Sequence, residues 1–135
     1  MINLYSINTQ SLTSDKLSHI MNLITSHQHK NILKNNYPTQ TIIACQETWW
    51  DQTKINTKPF QTFATNRKNK KGGGVAILTS PDLNASARAD LAVNDYIETV
   101  AIELPQKKLI LANYYNTKYH NTLKAYIHGR YNRKK

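Results

Sequence analysis

Cysteine occurs once in this chain, at position 45. With no second thiol there is no disulfide to staple the fold and no thiolate cluster to hold zinc. A lone cysteine inside an apolar run fits a reducing, intracellular compartment, nucleus or cytoplasm, rather than a secreted protein. The amino-terminal residues MINLYSINTQ lack a basic region followed by a long apolar core, so no signal peptide is read there. No apolar run approaches the roughly 18 residues that span a bilayer, and no membrane partner is expected. Acidic residues are scarce: eight Asp and Glu stand against 18 Lys and Arg, and none follows Glu103. The formal charge is therefore +10 and the pI about 9.8, an excess that suits a polyanion, above all nucleic acid, through counterion release. Glycine is also sparse, and three of the four are consecutive, Gly72-Gly73-Gly74.

What is present is enough for one domain with a modest core: 135 residues, 39% hydrophobic, mean hydropathy −0.61. The pattern centres on Ile42-Ile43-Ala44-Cys45, a short apolar run that switches abruptly to Gln46-Glu47-Thr48-Trp49-Trp50. The run reads as a buried strand that delivers Glu47 just past its end. Ligands of open α/β sheets bind beyond the carboxyl ends of strands, so a carboxylate there is placed for chemistry. Taken alone, a Glu in that position is usually an ordinary solvated loop residue.

Ile2 to Ile7 alternates as a first strand, with Ile2, Leu4 and Ser6 on one face and Tyr5 and Ile7 on the other. From Asp15 to Ser26 the residues Leu17, Ile20, Met21 and Ile24 fall at helical spacing, with Thr13 or Ser14 as N-cap. The segment 27–40 is polar, with a weak helical hint at Ile32 and Leu33 and a stop at Tyr37-Pro38. Strand, helix and the strand Thr41 to Cys45 make a unit that wants parallel pairing. Phe60 to Thr65 is a short strand, the glycines lead into Val75 to Leu78, and residues 80–94 have no clear pattern. Tyr96 to Leu104 and Leu109 to Tyr115 form an antiparallel hairpin, and Leu123, Tyr126 and Ile127 hint at a helix in the basic tail.

Five pieces in this order, INTQSL, CQETWW, GGGVAIL, ETVAIEL and a strand ending in NYYN, resemble the endonuclease/exonuclease/phosphatase superfamily. Within it they look like the front part of the endonuclease domain of non-LTR (LINE-type) retrotransposons. The resemblance spans residues 1–117 and leaves 118–135 as an unassigned basic tail. It implies an α/β fold: the front half of a four-layer, DNase I-like sandwich, with a mixed sheet, a covering helix and an antiparallel hairpin. It further implies that Glu47 binds Mg²⁺ or Mn²⁺ weakly, with Asn8 beside it as ligand or phosphate contact, and that Tyr115 donates a hydrogen bond to a phosphate oxygen. Gln10 stands where some relatives have an acidic residue, so metal affinity rests on Glu47. Thr117 replaces a proline often found after that tyrosine. The reaction implied for full-length relatives is nicking of target DNA by metal-assisted phosphodiester hydrolysis.

Each of these residues also has a plainer role. Asn8 can form a turn or cap the helix, Tyr115 can be a half-buried strand aromatic, and Trp49 and Trp50 can plug a sheet edge instead of stacking on a base. Arg67, Lys68, Lys70 and Lys71 are either a solvated charge run or contacts to nucleic-acid phosphates. The glycines follow the lysines and no Lys-Ser/Thr follows them, so they are a permissive turn and not a P-loop. His27 and His29, two apart, would face different ways on a helix and make no metal site.

The family's later motifs, an Asp-x-Asn strand end and a closing Asp-His pair, do not occur after Tyr115. The expectation is a truncated domain or a piece of a retrotransposon polyprotein, lacking the second sheet and catalytically incomplete. Its uncovered apolar sheet face would then drive self-association. The alternatives are a non-catalytic basic nucleic-acid-binding module, or a fragment of another branch such as an abasic-site nuclease or an inositol-phosphate phosphatase.

Overall fold

The computed structural model describes residues 2–35, 40–50, 55–67, 72–92, 97–116 and 120–127. Two four-stranded sheets stack face to face, and one helix covers the outer face of the first. The first sheet, in the order β1-β2-β4-β3, comprises β1 (Ile2–Asn8), β2 (Gln40–Gln46), β3 (Gln61–Thr65) and β4 (Val75–Thr79). β1 and β2 run parallel, joined by helix α1 (Ser14–Asn35), and β4 is antiparallel to both β2 and β3. The second sheet, β5-β6-β7-β8, is antiparallel throughout and comprises β5 (Ser86–Ala87), β6 (Glu98–Leu104), β7 (Leu109–Asn116) and β8 (His120–Ile127).

Strand alternation builds two cores. Ile43 and Cys45 of β2 and Ala76 and Leu78 of β4 meet Leu17 and Ile24 of the helix. The intervening residues Ile42, Val75 and Ile77 point the other way, onto Val100, Ile102 and Leu104 of β6 and Leu111 of β7. A strand buried on both faces must be apolar continuously, which is why β2 and β4 show no polar alternation. Each large aliphatic side chain sealed there contributes about 1.5–3 kcal/mol.

The parallel strand-helix-strand unit and the hairpin lie where the periodicity puts them. Thr13 is the N-cap, its hydroxyl accepting the Lys16 N–H at 3.2 Å. Several expectations need correction. The second sheet is present: the hairpin pairs with β5 and β8 and covers the first sheet instead of extending it. The face expected to be bare is thus filled, and with it goes the basis for self-association through that face. The helix continues to Asn35, past Ser26, although its second half lacks an apolar stripe. Tyr5 donates to or accepts from His27 Nδ1 at 2.7 Å and Gln28 bonds Thr41, so packing against the sheet supplies what periodicity does not. Leu123, Tyr126 and Ile127 lie on β8 and not on a helix. Residues 80–92 are two single 3₁₀ turns flanking β5. The Tyr37-Pro38 stop and the expected strand start at Tyr96 fall outside the described residues. Helix, mixed sheet and antiparallel sheet make three layers among the described residues. No helix there is long and apolar enough to cross a membrane.

Candidate functional site

β1 and β2 end side by side, with Asn8 paired to Gln46 in the parallel register. Beyond that pair the chain leaves regular strand geometry, yet the backbone remains tied. On one side Thr9 N–H donates to the Gln46 carbonyl at 2.9 Å, Ser11 N–H to Glu47 at 2.8 Å and Leu12 N–H to Thr48 at 2.9 Å. On the other, Thr48 N–H donates to the Gly74 carbonyl at 3.2 Å and Trp49 N–H to Gly73 at 2.8 Å. The segment carrying Glu47 is therefore held on both flanks.

Of the six non-glycine residues with positive φ among those described, four are here: Gln10, Ser11, Glu47 and Trp49. Left-handed backbone at such residues costs on the order of 1–3 kcal/mol each and concentrates at functional sites. At Glu47, φ of +54° breaks the strand alternation that would aim residue 47 with Cys45 toward the helix. Its side chain instead reaches the second sheet: Tyr115 Oη donates to Glu47 Oε1 at 2.7 Å. That bond, with burial second, raises the Tyr115 pKa above the ordinary phenol value of 10.0, because ionising the phenol would set two anions in contact.

A second pair flanks the first. Glu98 lies opposite Tyr115 in the β6-β7 register. One of its oxygens accepts Arg67 Nε at 2.5 Å and the other accepts the Gly74 N–H at 3.0 Å. The Arg67 guanidinium sits 5.9 Å from the centre of the Tyr115 ring, a cation–π contact, and rests on Gly73, where a Cβ would land inside it. At Gly74 (φ +86°) a Cβ would lie 2.6 Å from Thr48 Oγ1, itself buried without a partner. The glycine run is thus a permissive turn, as its composition suggests, and also a bed for one arginine.

The sheets are registered by a buried amide pair just inside the rim. Gln46 Nε2 donates to Asn113 Oδ1 at 2.8 Å, and Asn113 Nδ2 donates to the carbonyls of Cys45 and Ala76, each at 3.0 Å. Gln46 precedes Glu47 and Asn113 is two residues before Tyr115 on the same face, so this clasp sets the distance between carboxylate and phenol.

Asn8, Glu47 and Tyr115 therefore come to one end of the sandwich. The exposed Asn8 takes its plainer role as well, its Oδ1 accepting Gln10 N–H at 3.2 Å in a local turn. Arg67 joins the rim and is not a freely solvated charge. Lys68, Lys70 and Lys71 lie outside the described residues. Trp50 packs on the helix-side core and donates Nε1–H to the Leu12 carbonyl at 2.9 Å, whereas Trp49 is 51% exposed. Sequence reasoning gave no site role to Glu98 or Asn113. A charged residue opening an alternating strand looks like any solvated edge, and nothing local marks Asn113 as reaching across to another sheet.

Among the described residues no three His, Cys, Asp or Glu side chains cluster as a metal cage. The oxygen donors present fit a hard ion of the Mg²⁺ type, which keeps most of its water and takes one or two protein carboxylates. Glu47 has one oxygen engaged by Tyr115 and a second with no hydrogen bond among the described residues. No family model, curated protein or solved structure matches this chain.

Proposed function

We propose that this chain is built on the metal- and phosphate-binding half of an endonuclease/exonuclease/phosphatase-type phosphodiesterase, with DNA as its partner. The DNase I-like, four-layer form of the sandwich belongs to this reading. The observation that carries it is the bond from Tyr115 to Glu47 across the two sheets, formed where the strand bearing Asn8 also ends. Glu47 and Asn8 would hold the ion, Mg²⁺ or Mn²⁺. When bound, such an ion neutralises phosphate charge and stabilises a leaving oxygen. Tyr115 fixes the carboxylate with its single O–H and would donate to a phosphate oxygen only in exchange for that bond. Arg67, held by Glu98, supplies positive charge at the same rim.

Hydrolysis also needs a base for water. No acidic residue follows Glu103 to orient a histidine, so the chain by itself is expected to bind and not to cut. Its place in a retrotransposon polyprotein belongs to the same proposal. The test is ¹⁵N-resolved NMR with added Mg²⁺, alongside plasmid nicking. Saturable shifts around Glu47 that vanish in Glu47→Gln support the reading; their absence at high Mg²⁺ overturns it. Robust nicking abolished by Glu47→Ala would overturn the expected inactivity. A second reading, a basic module that holds nucleic acid without metal, is favoured by the +10 charge and the exposed Trp49. It would show DNA affinity that falls steeply with salt and is indifferent to chelator.

A further inference from the structure

Two hydrogen-bond donors come close to the point a side chain would occupy at Gly72. A Cβ placed on this residue would lie 3.5 Å from Trp49 Nε1 and 3.9 Å from Arg67 Nη1. Neither nitrogen donates a hydrogen bond to any described residue, in contrast to Arg67 Nε, which is committed to Glu98, and Trp50 Nε1, which is committed to Leu12. The side chain bearing one donor and the backbone bearing the other are anchored. Trp49 is tied through its backbone to Gly73. The Arg67 side chain, 21% exposed, is clamped by a Glu98 side chain that is 12% exposed, and it lies against Gly73 and Tyr115.

A guanidinium whose inner nitrogen is pinned to a carboxylate keeps its terminal nitrogens for a second acceptor. Charge-assisted bonds from those nitrogens suit the oxygens of a phosphate, and an indole N–H can only donate, so both groups select an acceptor. An ammonium or other cation is excluded on the same ground.

We propose that Gly72, Trp49 Nε1 and Arg67 Nη1 form a seat for one phosphate of a nucleic-acid strand, beside and separate from the Glu47 position. The strand is the source that the chain's +10 charge favours, and the exposed indole face next to the seat offers a surface for an adjoining base. The absence of a side chain at Gly72 is then a recognition feature, since a methyl group would fill the seat. The inference rests on reading this rim as a nucleic-acid surface and needs no metal.

The experiment uses the full chain in EDTA and follows the two indole N–H signals by ¹H–¹⁵N NMR, assigned with Trp49→Phe. On titration with a short DNA duplex or single strand, the Trp49 signal should move saturably while the Trp50 signal, bonded to the Leu12 carbonyl, stays. Arg67→Ala should weaken binding about tenfold or more, and Trp49→Phe, which keeps an aromatic ring but removes the N–H and leaves the Arg67–Glu98 pair untouched, by about two- to tenfold. Because the titration is run in EDTA, with no metal available to Glu47, failure of this seat is distinguished from failure of the metal reading. A Trp49 signal unmoved by saturating DNA, or equal affinity in Trp49→Phe and the unaltered protein, overturns the seat. A response to inorganic phosphate with none to DNA overturns its assignment to a nucleic-acid strand.

Discussion

Tyr115 of the antiparallel sheet and Glu47 of the mixed sheet share one hydrogen bond of 2.7 Å, and it closes the end of the sandwich at which β1 and β2 terminate. The bond depends on a left-handed backbone at Glu47 and on the neighbouring Gln46–Asn113 clasp, so its geometry is set by the fold and not by two mobile side chains finding each other.

Tyr115 is expected to ionise later than an ordinary tyrosine. Its folded pKa is raised above 10.0, chiefly by Glu47, so its contribution to stability is complete below pH 10 and declines as pH rises beyond it. Spectrophotometric titration of the protein against Tyr115→Phe should isolate one late phenol, and Glu47→Gln should bring that phenol back toward the usual range.

Asn113→Ala should destabilise the protein by about 2–4 kcal/mol, because it strands Gln46 and removes a donor from two buried carbonyls. Urea unfolding measures the loss. The late phenol of Tyr115 should also disappear in this variant, since the clasp sets the reach of that side chain to Glu47.

Gly73→Ala should expel the Arg67 guanidinium, whose position the new methyl group would occupy, while φ of +63° strains any side chain there. The expected result is a loss of about 1–3 kcal/mol and weaker binding to DNA in low salt. Gly74→Ala, which crowds Thr48 at 2.6 Å, should cost comparable stability with a smaller effect on binding.

Cys45, sealed between sheet and helix, has its thiol pushed by burial from 9.0 up to about 12. It should resist thiol-modifying reagents at pH 8 until the chain is unfolded with denaturant. The unfolded chain releases this proton from about pH 9 while the folded one holds it, so stability should fall between pH 9 and pH 12.

Where side-chain period alone decides the structure, the residues could be read directly. Ile42 to Cys45 and the hairpin halves stay apolar or alternate as their burial requires, while in β1 the alternation holds although Leu4 is left exposed. The second half of α1 could not be read so, because His27 and Gln28 are held by Tyr5 and Thr41 and not by a stripe of their own. Leu123, Tyr126 and Ile127 satisfy helical spacing, and pairing with β7 overrides it. Alternation says which residues of β6 and β7 face a core but not which sheet they join, so the second sheet is not legible in the sequence. At the rim, Glu47 is marked by the switch from apolar to polar, while Glu98 and Asn113 act through partners 24 or more positions away.

The burial of Cys45 makes the protein easy to tag. A cysteine introduced at an exposed position such as Ser86, on the far sheet's edge, would be the sole accessible thiol in the native molecule. A single fluorophore or spin probe attached there could report the approach of a nucleic-acid strand without any change to the rim itself.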